Sequence, residues 1–206
     1  MRLYLNLIFT VLFINLISIS IKAEITLNEL IFDDTKPFNL KILNAIPEAG
    51  KIQIGPDNAK NTIIEFFDYF CGYCKKIHSE LVDLAQSRED VRVIFLQHPI
   101  LNESSKMIAK IAIAANMQGK GFDFHHKIFT IQGSITSEKL TNSIKDSGIN
   151  EIKLKIDIER DEIEKIIQLS SFLASGSGAR GTPSIFINEE FFGGYISKER
   201  IQGLLK

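Results

Sequence analysis

The two cysteines of this 206-residue chain, Cys71 and Cys74, are the side chains best suited to chemistry. A pair separated by two residues can close a disulfide or supply half of a metal site. An unbroken apolar run precedes the pair and a helical pattern follows it, which favours redox chemistry. A purely structural disulfide explains the spacing poorly, because closing so short a loop stabilises a fold little.

The start of a helix is expected to give the two thiols different roles. The first turn of a helix carries unpaired N–H groups and the positive end of the helix dipole, and both favour a thiolate. We therefore expect Cys71 to be the exposed attacking thiolate, with a pKa in the range of about 3.5–7.5 known for such sites. Cys74, one turn further on, is expected to be the buried resolving thiol.

The elements around the cysteines follow a regular order. Apolar runs predict strands at residues 52–54, 62–69 and 91–97. Helical spacing begins at the cysteines and predicts a helix between the second and third strands. Its apolar face contains Cys74, Ile77, Leu81, Val82 and Ala85. Strand, helix and strand in this order form a βαβ unit, which is right-handed by a strong general rule.

Helical patterns dominate the middle of the chain, at residues 104–117, 122–129, 136–147 and 159–175. Between them, alternate residues from Ile152 to Ile158 are apolar, and this periodicity alone predicts a strand. The helical neighbours favour a helix there instead. The end of the chain is predicted to hold two short strands, at residues 184–188 and at Phe191-Phe192, and a final helix capped by Ser197.

The first 23 residues have the character of a targeting segment. Arg2 is followed by a mostly apolar run at residues 3–21 and then by small residues up to Ala23, which is the order found in a secretory signal. The run is also near the length of a membrane anchor, and Ile21 suits a cleavage site after Ala23 poorly. We expect cleavage and export to the periplasm, while an uncleaved anchor stays open.

Two motifs in the rest of the chain together resemble a known family. They are residues 63–76, IIEFFDYFCGYCKK, and residues 180–194, RGTPSIFINEEFFGG. With helices between them and after them, they resemble the DsbA-type thiol–disulfide oxidoreductases of bacterial envelopes. The resemblance covers roughly residues 50–206. It implies an α/β protein with a thioredoxin fold and an inserted helical domain.

The resemblance also implies a domain division and further site residues. The main domain would span residues 51–206, with the helical insertion at about residues 102–177 and an N-terminal arm at residues 24–50. Pro183 would form a cis peptide bond and face the disulfide. Thr182 would offer backbone hydrogen bonds to an incoming extended peptide, in the manner of an added strand.

Glu65 lies six residues before the first cysteine, inside an apolar strand, where an ionisable group is costly unless it is paired or used. The family often places an acid at this position. One interpretation is a buried proton acceptor for Cys74 as the disulfide opens. The other is a carboxylate at a sheet edge, paired with a lysine or arginine. The sequence does not separate these two interpretations.

The dipeptide Gly72-Tyr73 between the cysteines departs from the family's strongest oxidases, which carry Pro-His there. Without the histidine, Cys71 should be less acidic and its disulfide less oxidising. We favour an enzyme that introduces disulfides into exported proteins. Isomerase or reductase activity, or a non-catalytic thioredoxin-like binding protein, are the alternatives. A reduction potential near about −120 to −180 mV would support a disulfide donor, and one near about −270 mV a reductant.

Composition narrows the partners and ligands. A formal net charge of −1, with lysines interspersed among acids, indicates no nucleic-acid partner. The thiolates and His78, or the His125-His126 pair, could bind zinc only with a second paired ligand set, and the spacing shows none. We expect no metal and no cofactor. The expected partners are folding exported proteins with cysteines and a membrane or soluble redox protein that resets the disulfide; the oligomeric state stays open.

Overall fold

The computed structural model describes residues 36–206 of the chain. The predicted signal segment at residues 1–23 and the first part of the predicted arm, up to residue 35, lie outside the described residues. The chain divides into two compact units, residues 1–45 and 46–206. In the first, the described residues form helix α1, Phe38–Ala45, which the sequence patterns did not predict.

The second unit is built on one mixed sheet of five strands in the spatial order β1-β3-β2-β4-β5. The strands are β1 (Ile52–Ile54), β2 (Asn61–Phe67), β3 (Val91–Gln97), β4 (Ser184–Ile187) and β5 (Glu190–Gly193). Strands β2 and β3 are parallel, and the other neighbours are antiparallel. The α/β thioredoxin fold that the sequence predicted is confirmed.

Helices cover this sheet and fill the connection between β3 and β4. They are α2 (Gly72–Ser87), α3 (Glu103–Asn116), α4 (Gly121–Thr130), α5 (Ser137–Asp146), α6 (Glu151–Asp157), α7 (Asp161–Gly176) and α8 (Lys198–Leu204). Helix α6 confirms the helical interpretation of the alternating segment. On this short helix Leu154 is buried while Ile152 and Ile156 are exposed. The alternation of apolar residues therefore does not correspond to a strand with one buried face. No helix among residues 36–206 combines the length and the apolar character needed to cross a membrane.

The central strand β2 accounts for the apolar run before the cysteines. Its two edges pair with β3 and β4, and successive apolar side chains, which point to opposite faces of the sheet, are all buried. The strand ends at Phe67, two residues earlier than predicted. From there the chain leaves the sheet at the carboxyl ends of the parallel strands and turns into α2.

The opposite end of β2 is tied to the end of the chain through Asn61, which is fully buried. Its side-chain amide donates to the carbonyl oxygen of Lys206 at 3.0 Å and to the carboxylate of Asp90 at 3.1 Å. Its carbonyl oxygen accepts from the N–H of Lys206 at 2.8 Å and from the side chain of Asn188 at 3.0 Å. This network stabilises the end of the sheet that is distant from the cysteines.

Candidate active site

Cys71 is the N-cap residue of α2, and Cys74 lies in its first turn. The Sγ of Cys71 accepts a hydrogen bond of 3.3 Å from the backbone N–H of Cys74, one of the N–H groups that a helix start leaves without a helical partner. The carbonyl oxygen of Cys71 accepts from Lys75 N at 3.0 Å and so begins the helix. Both cysteines are free thiols in this structure.

The surroundings of Cys71 favour its thiolate. A hydrogen bond from the Cys74 side chain, assisted by the backbone N–H groups of Cys74 and Tyr73, lowers the pKa of Cys71 to about 6, and partial burial acts in the opposite direction. Hydrogen bonds to an ionised group stabilise it and lower its pKa. At neutral pH Cys71 is therefore mostly the thiolate, which is the nucleophilic form of a cysteine.

Cys74 differs from Cys71 in its burial and in the direction in which its pKa is shifted. It is fully buried, and burial raises its pKa far above the ordinary value, with Cys71 and the charge of Glu65 acting in the same direction. Cys71 exposes 8% of its surface, so the expectation that Cys71 is exposed is wrong. Its sulfur is covered because the loop that carries Thr182 packs against it. Access to Cys71 is narrow, and Cys74 has none.

The loop before β4 brings the second motif to the first. The Thr182–Pro183 peptide bond is cis, and Pro183 is buried. The Cys71 Sγ lies 3.2 Å from the carbonyl oxygen of Thr182 and donates to it when the thiol is protonated. The loop is held by the hydrogen bonds from Gly194 N to Pro183 O at 2.9 Å and from Ser184 Oγ to Gly181 O at 2.8 Å. Residues 111 positions apart are thus in direct contact.

Glu65 lies in the middle of the sheet beneath the cysteines. Its register partners are Phe95 of β3 and Ile185 of β4, so it does not occupy a sheet edge. Among the described residues neither of its oxygens has a hydrogen-bond partner, and no lysine or arginine pairs with it. Burial raises the pKa of Glu65 well above its usual range, and the charge of Cys71 adds to this.

A groove of about 220 Å³ opens beside Cys71. One wall comes from the cysteine turn, with Tyr69 and Phe70, and the other from α4 and the loop after it, with Phe129 and Ile135. Lys75 spans the two walls, because its Nζ donates to the carbonyl oxygen of Ile131. Nothing in the sequence marks Phe129 and Ile135 as neighbours of the cysteines, since they lie in the helical connection about 60 residues further on.

Tyr73, between the cysteines, points along the surface of α2. It is 63% exposed, and its ring centroid lies 6.0 Å from that of Tyr195 in the loop before α8. Tyr195 donates to Glu80 at 2.8 Å, and the Lys76 ammonium lies 4.1 Å from the centre of its ring. Tyr73 and Tyr195 therefore border the open side of the site, and Lys76 has a specific aromatic contact.

Three of the four histidines, His78, His125 and His126, form a largely buried cluster behind the groove. His125 hydrogen-bonds through Nδ1 with the hydroxyl of Tyr69 at 3.1 Å, and His78 hydrogen-bonds with His126 at 3.0 Å. Burial, reinforced by His126, lowers the pKa of His78 to about 3, and burial lowers that of His125 well below its usual range. Both are therefore neutral at physiological pH. No group of three or more potential ligands among residues 36–206 could hold a metal ion.

The model of the family described as "Thioredoxin" matches residues 48–206 of the chain. Two solved structures share its fold at a TM-score of 0.70 and 0.69. The first is a thioredoxin-like oxidoreductase from Silicibacter pomeroyi DSS-3, with 29% identity over 75% of this chain and 90% of that one. The second is the thiol–disulfide exchange protein alpha-DsbA2 from Wolbachia pipientis, with 28% identity over 89% and 93%.

Two further relatives have a lower sequence identity to this chain than the two solved structures do. The disulfide bond formation protein D of Bacillus subtilis (strain 168) is 22% identical over 74% of both chains. The Na(+)/H(+) antiporter NhaA of Herminiimonas arsenicoxydans is 24% identical over 78% of this chain, which spans only 26% of the antiporter's length. Together with the family model, these likenesses show that the chain belongs to the thioredoxin family and resembles its DsbA-like members.

Proposed function

We propose that the protein is an exported thiol–disulfide oxidoreductase that introduces disulfide bonds into folding envelope proteins. Cys71 is the sulfur that exchanges with the substrate, as the attacked atom in the oxidised enzyme and as the nucleophile in the reduced one, and Cys74 is the resolving thiol. The contrast between the two thiols carries the proposal: one is an N-cap sulfur whose pKa is lowered to about 6, and the other is a fully buried neighbour. Export rests on the signal-like sequence at the start of the chain.

The reaction proceeds by two exchanges. In the oxidised enzyme, a substrate thiolate attacks Cys71 Sγ, the Cys71–Cys74 bond breaks, and Cys74 leaves with the electron pair as a thiolate that takes up a proton. A second substrate thiolate then attacks the substrate sulfur of this mixed disulfide and releases the Cys71 thiolate. The substrate loses two electrons and gains a disulfide, and the enzyme becomes a dithiol. A separate redox partner must remove those electrons.

Glu65 is proposed to supply the proton that Cys74 takes up as the disulfide opens, so it is a donor at this step and becomes the proton acceptor expected from the sequence only when the disulfide reforms. Because burial raises its pKa well above the usual range, the carboxyl group holds a proton under conditions where an exposed glutamate does not. The Cys74 side chain acts on the pKa of Glu65 in the lowering direction, so the two groups are electrostatically coupled. A carboxyl group in this position can protonate the departing thiolate and regain its proton when the disulfide reforms.

The cis-Pro183 loop is proposed to bind the substrate backbone. The Thr182 carbonyl oxygen lies 3.2 Å from Cys71 Sγ, so an extended peptide that pairs with Thr182 would present its own sulfur to Cys71. The aromatic surface of Tyr73 and Tyr195 borders this path on one side, and the groove beside Phe70 borders it on the other.

The stability of the Cys71 thiolate bears on the direction of exchange. A lowered pKa at Cys71 stabilises the reduced enzyme and so makes its disulfide a better oxidant. A value near 6 lies between those of about 7 for thioredoxin and about 3.5 for DsbA. Oxidase activity is the favoured direction. Isomerase or reductase activity is the second candidate, because no imidazole lies between the cysteines.

Trapping in cells tests the proposed function. In a Cys74→Ala variant the Cys71 thiolate can still attack a disulfide of an exported protein, which is the reverse of the second exchange, but no Cys74 thiol is present to attack the resulting mixed disulfide. Cys71 should therefore accumulate adducts with exported proteins that reductant releases. A Cys71→Ser, Cys74→Ala double variant is the matched control and should trap nothing. The absence of adducts from a well-expressed Cys74→Ala variant would refute the enzymatic role. The reduction potential of the wild-type pair, measured against glutathione, then separates a disulfide donor from a reductant.

A further inference from the structure

We propose that Asp68 is a positioning residue for the exchange reaction. Its buried carboxylate binds the turn on which Cys71 lies and fixes this turn to the loop and helix that follow β3. This inference rests on the proposed function of the cysteine pair. Asp68 lies three residues before Cys71, and no part of the reaction described above uses it.

The carboxylate of Asp68 accepts four hydrogen bonds from three segments of the chain. Oδ1 accepts from Phe70 N and from Ser105 Oγ, both at 2.8 Å. Oδ2 accepts from Ile100 N at 2.9 Å and Leu101 N at 3.0 Å. Each oxygen thus accepts two hydrogen bonds. The one side chain of Asp68 joins the cysteine turn, the loop after β3 and the first turn of α3.

The same residue also holds the turn through its backbone. The carbonyl oxygen of Asp68 accepts from Cys71 N at 3.0 Å. Asp68 therefore binds the turn at Phe70 with its side chain and at Cys71 with its main chain. The placement of Cys71 on this turn determines whether the Cys74 N–H points at the Cys71 sulfur, the 3.3 Å contact that the thiolate requires.

The burial and surroundings of Asp68 indicate that position, rather than charge pairing, is its role. The side chain is 1% exposed, and no lysine or arginine among residues 36–206 forms an ion pair with it. Nearby His98 is mostly neutral, because burial lowers its pKa although Asp68 acts in the opposite direction. A buried carboxylate needs such hydrogen bonds to replace water, and four neutral donors provide them.

The helix that follows strengthens the arrangement. Asn102 caps α3 by accepting from the backbone N–H of Ser105 at 2.9 Å, and the hydroxyl of the same serine donates to Asp68. The carboxylate thus lies at the N-terminal end of a 14-residue helix, where the helix dipole favours negative charge. An asparagine in its place has a single acceptor oxygen and would turn an NH₂ group towards the other donors.

Alkylation of Cys71 as a function of pH tests the inference. The variants are Asp68→Asn, which keeps the shape of the side chain, and Ser105→Ala, which removes only the hydrogen bond from α3. A loosened turn should raise the pKa of Cys71 by about one unit in Asp68→Asn, so the rate with iodoacetamide at pH 6 should fall about five-fold. Ser105→Ala should lower that rate in the same direction, by about two-fold.

The matched control is Asp146→Asn, which removes the same charge from an exposed site on the helical connection and should leave the alkylation profile unchanged. Rates within 1.5-fold of wild type in Asp68→Asn, or a lowered pKa, would overturn the inference. If that variant does not fold, Ser105→Ala decides, and an unchanged profile there overturns the inference. A wild-type Cys71 no more reactive than a free thiol would instead refute the proposed function itself.

Discussion

The backbone N–H of Cys74 donates a hydrogen bond of 3.3 Å to the Sγ of Cys71, so the reactive sulfur is also the N-terminal cap of α2. This contact couples local folding to reactivity. The helix start lacks acceptors for its N–H groups, and a thiolate is a better acceptor than a thiol. The stability of the turn and the acidity of Cys71 should therefore change together.

The stability of the reduced protein should depend on pH through Cys71. Its pKa is lowered in the folded state to about 6, so the stabilisation is present above the ordinary thiol pKa of about 8.5 and is lost as the pH falls through 6. Urea unfolding of reduced wild type should show a free energy of unfolding that rises from pH 6 to pH 8.5 relative to Cys71→Ser. Parallel curves for the two proteins would contradict this.

Glu65→Gln should have opposite effects on stability and on exchange. Since the pKa of Glu65 is raised in the folded state, its contribution to stability is lost as the pH rises above the usual glutamate range. The variant should gain stability relative to wild type between pH 5 and pH 8. It should also slow disulfide opening by about tenfold or more, because the proton donor is gone. Stopped-flow exchange with a thiol peptide measures that rate.

Glu189→Gln provides the control for this experiment, since Glu189 is an exposed residue in the turn between β4 and β5. It should change neither the pH dependence of stability nor the exchange rate. Wild-type exchange kinetics in Glu65→Gln would remove Glu65 from the proposed mechanism.

Tyr73→His should make the disulfide more oxidising. An imidazolium next to the sulfur favours the thiolate, so the pKa of Cys71 should fall below its value of about 6. Each tenfold change in the exchange equilibrium with glutathione corresponds to about 30 mV in the reduction potential, and we expect a rise of at least about that size. Tyr73→Phe keeps the ring without the charge and should leave the potential near that of wild type. Equal potentials in all three proteins would argue against the dipeptide as the determinant.

Asn61→Ala should destabilise the fold without altering the site. It removes hydrogen bonds that join β2 to the last residue of the chain and to Asp90, and leaves buried partners unsatisfied. We expect a loss of about 1–3 kcal/mol in the free energy of unfolding. The alkylation rate of Cys71 in the folded variant should equal that of wild type, because the network lies at the other end of β2. A changed rate would mean that the two ends of the strand are coupled.

Much of the fold could be predicted because its signals are local. Strands β1 and β3 begin and end where their apolar runs do, and the helices of the middle segment follow their apolar spacing to within about two residues. Strand β2 was predicted two residues too long, since Asp68 and Tyr69 leave the sheet for a side-chain network that no pattern reveals. Helix α1 has no clear amphipathic pattern and was missed.

The amino-acid sequence by itself predicted the reactive pair and its place at a strand–helix junction, because residue type and spacing along the chain set these features. The part expected of Thr182-Pro183 came from the resemblance of its motif to a known family. The tertiary structure alone decided how open Cys71 is, what surrounds Glu65 and what Asp68 binds. Those properties depend on residues distant in sequence: Thr182 lies 111 positions from Cys71, and Ser105 lies 37 positions from Asp68. Burial and hydrogen bonding arise only when such segments pack, and these contacts determine the pKa values on which the proposed chemistry depends.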